Sequence, residues 1–139
     1  MNDALLTRIA EALERLAPPT ASCADLAAAP AYIWDGHAVH PVQDFAPVDY
    51  DLLTGIDAQK EALLANSARL ADGYAAHDVL LWGARGTGKS AAVAAVVGKL
   101  QQGGRDIALI QCAIDQLASL PSLFALAAKK AATSSMARQ

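Results

Sequence analysis

Cysteine is scarce in this chain of 139 residues, and the two present, Cys23 and Cys112, stand far apart. Neither has a second cysteine or a histidine at metal-ligand spacing, so both read as small apolar core residues rather than ligands. Charge is sparse as well: 18% of residues are charged, against roughly 25% in ordinary globular domains. The 11 basic and 14 acidic side chains leave a net charge of −3, which argues against a large non-specific nucleic-acid surface. Long apolar runs are missing. Stretches such as Ala91 to Val97 fall far short of the ~20 residues a membrane span needs. The first twenty residues carry Asp3, Glu11 and Glu14 and reach Pro18-Pro19, without the charged start and compact apolar centre of a secretory signal. The expectation is a cytoplasmic chain with neither membrane nor nucleic acid as partner.

What is present in quantity is alanine, roughly a quarter of the chain, which accounts for much of the 54% hydrophobic content and the mean hydropathy of +0.24. Alanine favours helix and buries little area. The length suits a single domain by default.

Leu5, Leu6, Ile9, Leu13 and Leu16 share one face at helical spacing, predicting an amphipathic helix over residues 2–16 that stops at Ala17-Pro18-Pro19. After a helical turn at Asp25 to Ala29, Tyr32-Ile33-Trp34 and Ala38-Val39-His40 flank Asp35-Gly36, which predicts a small β-hairpin packed by Trp34. Pro41 to Asp51 is rich in Pro and Asp and is expected to run over the surface. Asp57 is placed to cap a helix to about Leu70, with Leu63, Leu64 and Leu70 inward and Gly73 as its stop. Val79-Leu80-Leu81-Trp82 reads as a buried parallel strand with Trp82 in the core. Val93, Val96, Val97 and Leu100 mark a third helix, broken by Gly103-Gly104, and Ile107 to Ile110 a second buried strand. From Leu117 an alanine-rich helix is expected to fade into a frayed end at Thr133-Ser134-Ser135-Met136.

Between the first of those strands and its helix stands Gly83-Ala84-Arg85-Gly86-Thr87-Gly88-Lys89-Ser90, which fits the phosphate-binding pattern G-x-x-x-x-G-K-[ST] at every fixed position. A chance match in a chain of this length occurs on the order of once in two hundred. Gly83, Gly86 and Gly88 permit positive φ, so the amides of residues 86–90 can turn inward as an anion nest at a helix start. Lys89 would reach the β- and γ-phosphates, and the Ser90 hydroxyl would ligate Mg²⁺. The candidate cofactor-binding set in the loop is therefore Gly83, Arg85, Gly86, Thr87, Gly88, Lys89 and Ser90, with the Arg85 side chain itself read as solvated. His37, His40 and His77 have no partner at catalytic or metal spacing and read as surface or hydrogen-bonded residues.

Tyr32-Ile33-Trp34, the stretch Gly55-Ile56-Asp57-Ala58-Gln59-Lys60-Glu61-Ala62-Leu63 and the segment Leu80 to Ser90 together resemble a bacterial AAA+-like family filed as domain of unknown function 815, over roughly Leu5 to Leu120. The resemblance implies an α/β, three-layer P-loop NTPase fold, here partial, with an N-terminal helix and small hairpin. It divides the chain into residues 1–48 and an incomplete nucleotide-binding domain over 49–139. It also implies ATP and Mg²⁺ as cofactors and makes Gly55 and Ile56 candidates for adenine contact.

An ATPase of this class uses a later acidic pair, a polar sensor and usually an arginine from a neighbouring subunit. None can be placed. The carboxylates after Ser90 are Asp106, ahead of its strand, and Asp115, followed by Gln116 rather than a second acid. No catalytic residue is identified, and the chain reads as a truncated or frame-altered version of a longer protein. The family's sheet sets two later strands between the phosphate-loop strand and the next. Residues 79–82 and 107–110 would therefore pair directly, leave open edges, or find partners in another chain.

The leading expectation is an ATP-binding P-loop protein of AAA+ type whose hydrolysis is weak or absent. The alternatives are a non-enzymatic partner-binding module with a vestigial nucleotide site, and a small phosphotransferase using Asp115. Beyond the nucleotide, a second copy or another protein is an open possibility as partner.

Overall fold

The computed structural model describes residues 3–16 and 25–136. Cys23 and the Pro18-Pro19 linker lie outside the described residues. The elements are α1 (Asp3–Leu16), β1 (Ala31–Trp34), β2 (Val39–Pro41), α2 (Asp57–Ala71), α3 (Lys89–Gln102), β3 (Leu109–Cys112) and α4 (Leu120–Met136), with 3₁₀ turns at Tyr50–Leu52 and Ile114–Ser119. This is an α/β chain with a small mixed sheet in the order β2-β1-β3.

The hairpin forms where the sequence predicts it, with Trp34 opposite Val39. Its loop holds residues 35–38, closed by Asp35 N–H donating to the Ala38 carbonyl at 3.2 Å. Gly36 turns it at φ +100°, a region that costs an L side chain dearly. On the other side β1 pairs in parallel with β3, from Ala31 beside Leu109 to Trp34 beside Cys112.

Tyr32 and Trp34 point from β1 into a cluster with Val39 and Leu123 of α4, while Ile33, on the opposite face, stays half exposed. This is the period-two alternation of a strand covered on one side. Burying an aromatic side chain of about 200 Å² contributes on the order of 5 kcal/mol against an extended chain. Both rings also satisfy their polar ends: Trp34 Nε1–H donates to Ser119 Oγ at 2.7 Å, and the Tyr32 hydroxyl donates to the Asp25 carbonyl at 2.6 Å. The turn at Asp25 is the expected one, closed by Ala28 N–H to the Asp25 carbonyl.

A second cluster joins α2 and α3: Leu63, Ala95, Val96 and Leu100 pack with Tyr50, and Leu53, Leu64, Leu81 and Ile107 pack against them. The 41–51 run is therefore a surface segment that ends by burying Tyr50. Gln101 ties this cluster to the sheet by donating to the carbonyls of Pro30 and Ile107.

Several expectations change. Val79 to Trp82 forms no strand and lies outside the sheet, with Leu80 85% and Trp82 87% exposed, so Trp82 is not a core residue. Leu81 alone of this run packs inward. The second strand is two residues later than expected and takes β1, not residues 79–82, as its neighbour. Leu70 is exposed, because α2 contributes its inner contacts through Leu63 and Leu64. Asp57 does not cap α2: Ile56 is the N-cap residue, without a side-chain cap bond, and Asp57 is the first helical residue. Leu5, Leu6, Ile9 and Leu13 of α1 are all exposed, so among the described residues nothing covers this apolar stripe. The final helix continues through residues 133–136 rather than ending before them.

Candidate functional site

The Gly83–Ser90 loop has the backbone its glycines predict: φ is +143° at Gly83 and +82° at both Gly86 and Gly88. A Cβ at Gly86 or Gly88 would meet nothing within 4 Å, so the demand for glycine there is purely conformational. Gly88 is the N-cap of α3, and its carbonyl accepts from Ala92 N–H at 2.8 Å. The amides of Lys89, Ser90 and Ala91 open the helix without acceptors inside it. With the helix dipole behind them, those donors form an anion-favouring end.

Lys89 is folded back into the loop. Its ammonium donates to the carbonyls of Gly83 at 3.0 Å and Ala84 at 2.6 Å and to Thr87 Oγ1 at 3.3 Å. The Thr87 hydroxyl in turn donates to the Ala84 carbonyl at 2.9 Å. All three ammonium donors are thus held on neutral acceptors, which an anion's charge-assisted bonds would outcompete. Ser90 and Arg85 are exposed.

A recess of about 250 Å³ lies beside the loop, lined by Leu81 to Gly83, Thr87 to Lys89, Ala92, and Ile56 with Gln59 from the start of α2. The fold therefore brings Ile56 to the loop. Gly55 does not line the recess; it turns the chain into α2 at φ +80°. Asp115 lies in the 3₁₀ turn after β3, exposed, its carboxylate accepting from Gln116 at 3.4 Å, and does not line the recess.

Three residues with a part in this site escape sequence reasoning. Trp82 reads as core from the apolar run around it, yet the structure sets it at the recess. Gln59 carries a fainter signal, one helical turn from Ile56. Lys60, read only as part of a family stretch, is buried and donates to the carbonyls of Tyr50 and Leu53, which fixes the segment leading into Ile56.

The histidines take hydrogen-bonding positions at the surface: His40 Nε2 lies 2.6 Å from Asp35 Oδ2, and the His77 backbone is held by the Asn66 side chain. Among the described residues no group of three or more His, Cys, Asp or Glu is placed to hold a metal. Cys112 is partly buried at the end of β3. No described helix is long and apolar enough to cross a membrane.

Fold and loop together define an α/β protein in which a glycine-rich turn opens a helix beside a small recess. The chain belongs to the family described as protein of unknown function (DUF815), whose model matches residues 27–134. No curated protein and no solved structure matches it.

Proposed function

We propose that the chain binds ATP with Mg²⁺ through the Gly83–Ser90 loop as an AAA+-like P-loop protein, and that its hydrolysis is slow or absent. The observation that carries this reading is the loop itself: three glycines at positive φ lead directly into the N-terminus of α3 with a lysine folded among them. The donor set suits a polyphosphate, since backbone amides, a helix end and an ammonium converge there. Lys89 would exchange its carbonyl acceptors for phosphate oxygens, and the exposed Ser90 hydroxyl would ligate Mg²⁺, which neutralises phosphate charge when bound. Ile56 would meet the base. Slow hydrolysis follows from the recess lining, which includes no carboxylate to orient an attacking water.

Titration with a fluorescent ATP analogue tests the reading. Wild type binds in the presence of Mg²⁺, and Lys89→Ala binds at least tenfold more weakly. Absence of binding, or binding unchanged by Lys89→Ala, overturns it. Phosphate release from the same sample reads the second half: turnover far below that of a complete ATPase is expected, whereas Mg²⁺-dependent turnover abolished by Asp115→Ala would make the protein a phosphotransferase.

A further inference from the structure

Trp82 is 87% exposed at the rim of the recess, although the next residue inward along the chain, Leu81, is anchored in the α2–α3 cluster. Leu81 packs inward while Leu80 and Trp82 on either side of it stand exposed, and this anchor fixes where the indole stands. A large aromatic surface is thereby held at the mouth of a mostly apolar cavity, next to a loop whose donors suit phosphates.

The second feature is Gln59, one turn into α2 and lining the same cavity. Of the polar side chains there, Thr87 and Lys89 are engaged within the loop, while the Gln59 amide makes no hydrogen bond to the protein among the described residues. An amide carries a donor and an acceptor side by side and can pair with adenine N7 and the 6-amino group, whereas guanine presents acceptors at both positions. The volume, about 250 Å³, lies below the ~300–1,000 Å³ of sites that enclose a whole drug-sized ligand and suits one end of a nucleotide whose phosphates lie on the loop.

We propose that Trp82 and Gln59 select the nucleobase, Trp82 as a stacking platform for a purine ring and Gln59 as the reader of its adenine edge. This rests on the phosphate reading of the loop, but assigns the selection to two side chains the loop does not contain.

Calorimetric binding of Mg²⁺-ATP, Mg²⁺-GTP and Mg²⁺-tripolyphosphate to the full chain separates base selection from phosphate binding. Wild type binds ATP more tightly than GTP or tripolyphosphate. Trp82→Ala weakens ATP on the order of tenfold while leaving tripolyphosphate unchanged, and Trp82→Phe restores most of the loss because the ring remains. Gln59→Ala narrows the ATP to GTP ratio without altering tripolyphosphate binding. A far-UV circular dichroism spectrum and thermal midpoint unchanged from wild type confirm that each variant is folded.

Equal wild-type affinity for ATP and tripolyphosphate, both lost in Lys89→Ala, overturns base selection and leaves phosphate binding standing. Base selection is likewise overturned if Trp82→Ala leaves ATP unchanged or lowers ATP and tripolyphosphate alike. Failure of wild type to bind either ligand overturns both readings.

Discussion

Lys60 shows how one side chain can set the geometry of a neighbouring site. It is the one charged side chain buried among the described residues, and its ammonium donates to the carbonyls of Tyr50 at 3.3 Å and Leu53 at 2.7 Å and forms an ion pair with Asp57 at 3.2 Å. Its ammonium also lies 4.7 Å from the centre of the Tyr50 ring, which Lys99 approaches to 4.1 Å. Lys60→Met keeps the apolar stem and removes the donors. Urea unfolding should then show a loss of about 1–3 kcal/mol, because the Leu53 carbonyl loses its donor and the Tyr50 carbonyl keeps only the Leu53 amide. ATP affinity should fall too as Ile56 loosens. Asp35 makes a prediction in acid. It accepts from the amides of Ala38 at 2.7 Å and His37 at 2.8 Å and meets His40 at 2.6 Å. The Ala38 amide first, then His40 and the His37 amide, hold its carboxyl well below the usual carboxylate range. A folded value below the unfolded one, near 3.9, stabilises the hairpin above that pH and loses the effect as pH falls toward the lowered value. Amide shifts of His37 and Ala38, followed by NMR down from pH 6, should move only in strong acid. Asp35→Asn should flatten that response.

Helices α2 and α3 were legible because their stop signals are local. Gly73 takes φ +81° and lets Tyr74 N–H reach the Arg69 carbonyl at 2.8 Å, while Gly104 at φ +80° lets Arg105 N–H reach that of Leu100. The apolar run at 79–82 misled for the opposite reason. A strand needs a neighbour, and whether one arrives cannot be read from four residues. Gly98 belongs to this scale. Glycine within a helix ordinarily costs up to about 1 kcal/mol relative to alanine. Here a Cβ would come within 2.6 Å of the Pro47 ring. Gly98→Ala should therefore destabilise the protein, by about 1–3 kcal/mol, against the gain that propensity alone predicts. A chemical denaturation midpoint above wild type would show that Pro47 yields freely.

Across the molecule, the sheet depends on a contact between distant parts of the chain. β1 receives β3 from nearly eighty residues away, and Trp34 is closed in by Ser119 and Leu123 beyond it. Ending the chain at Gly104 removes all three. In a Trp82→Phe background, where Trp34 is the sole tryptophan, its emission should shift to the red as the indole meets water. An unshifted spectrum would mean that the hairpin holds Trp34 without the rest of the sheet.

The sequence by itself determined the elements whose causes are local: the hairpin at Asp35-Gly36, helices bounded by glycine, and a glycine loop ending in Lys89-Ser90 whose backbone follows from residue type. Tertiary structure alone decided which strands meet, that Trp82 stands in solvent while Leu81 packs, that Lys60 is buried, and that Gln59 comes to the loop. These outcomes depend on which distant surfaces exclude water together, and a pattern of neighbouring residues cannot carry that information.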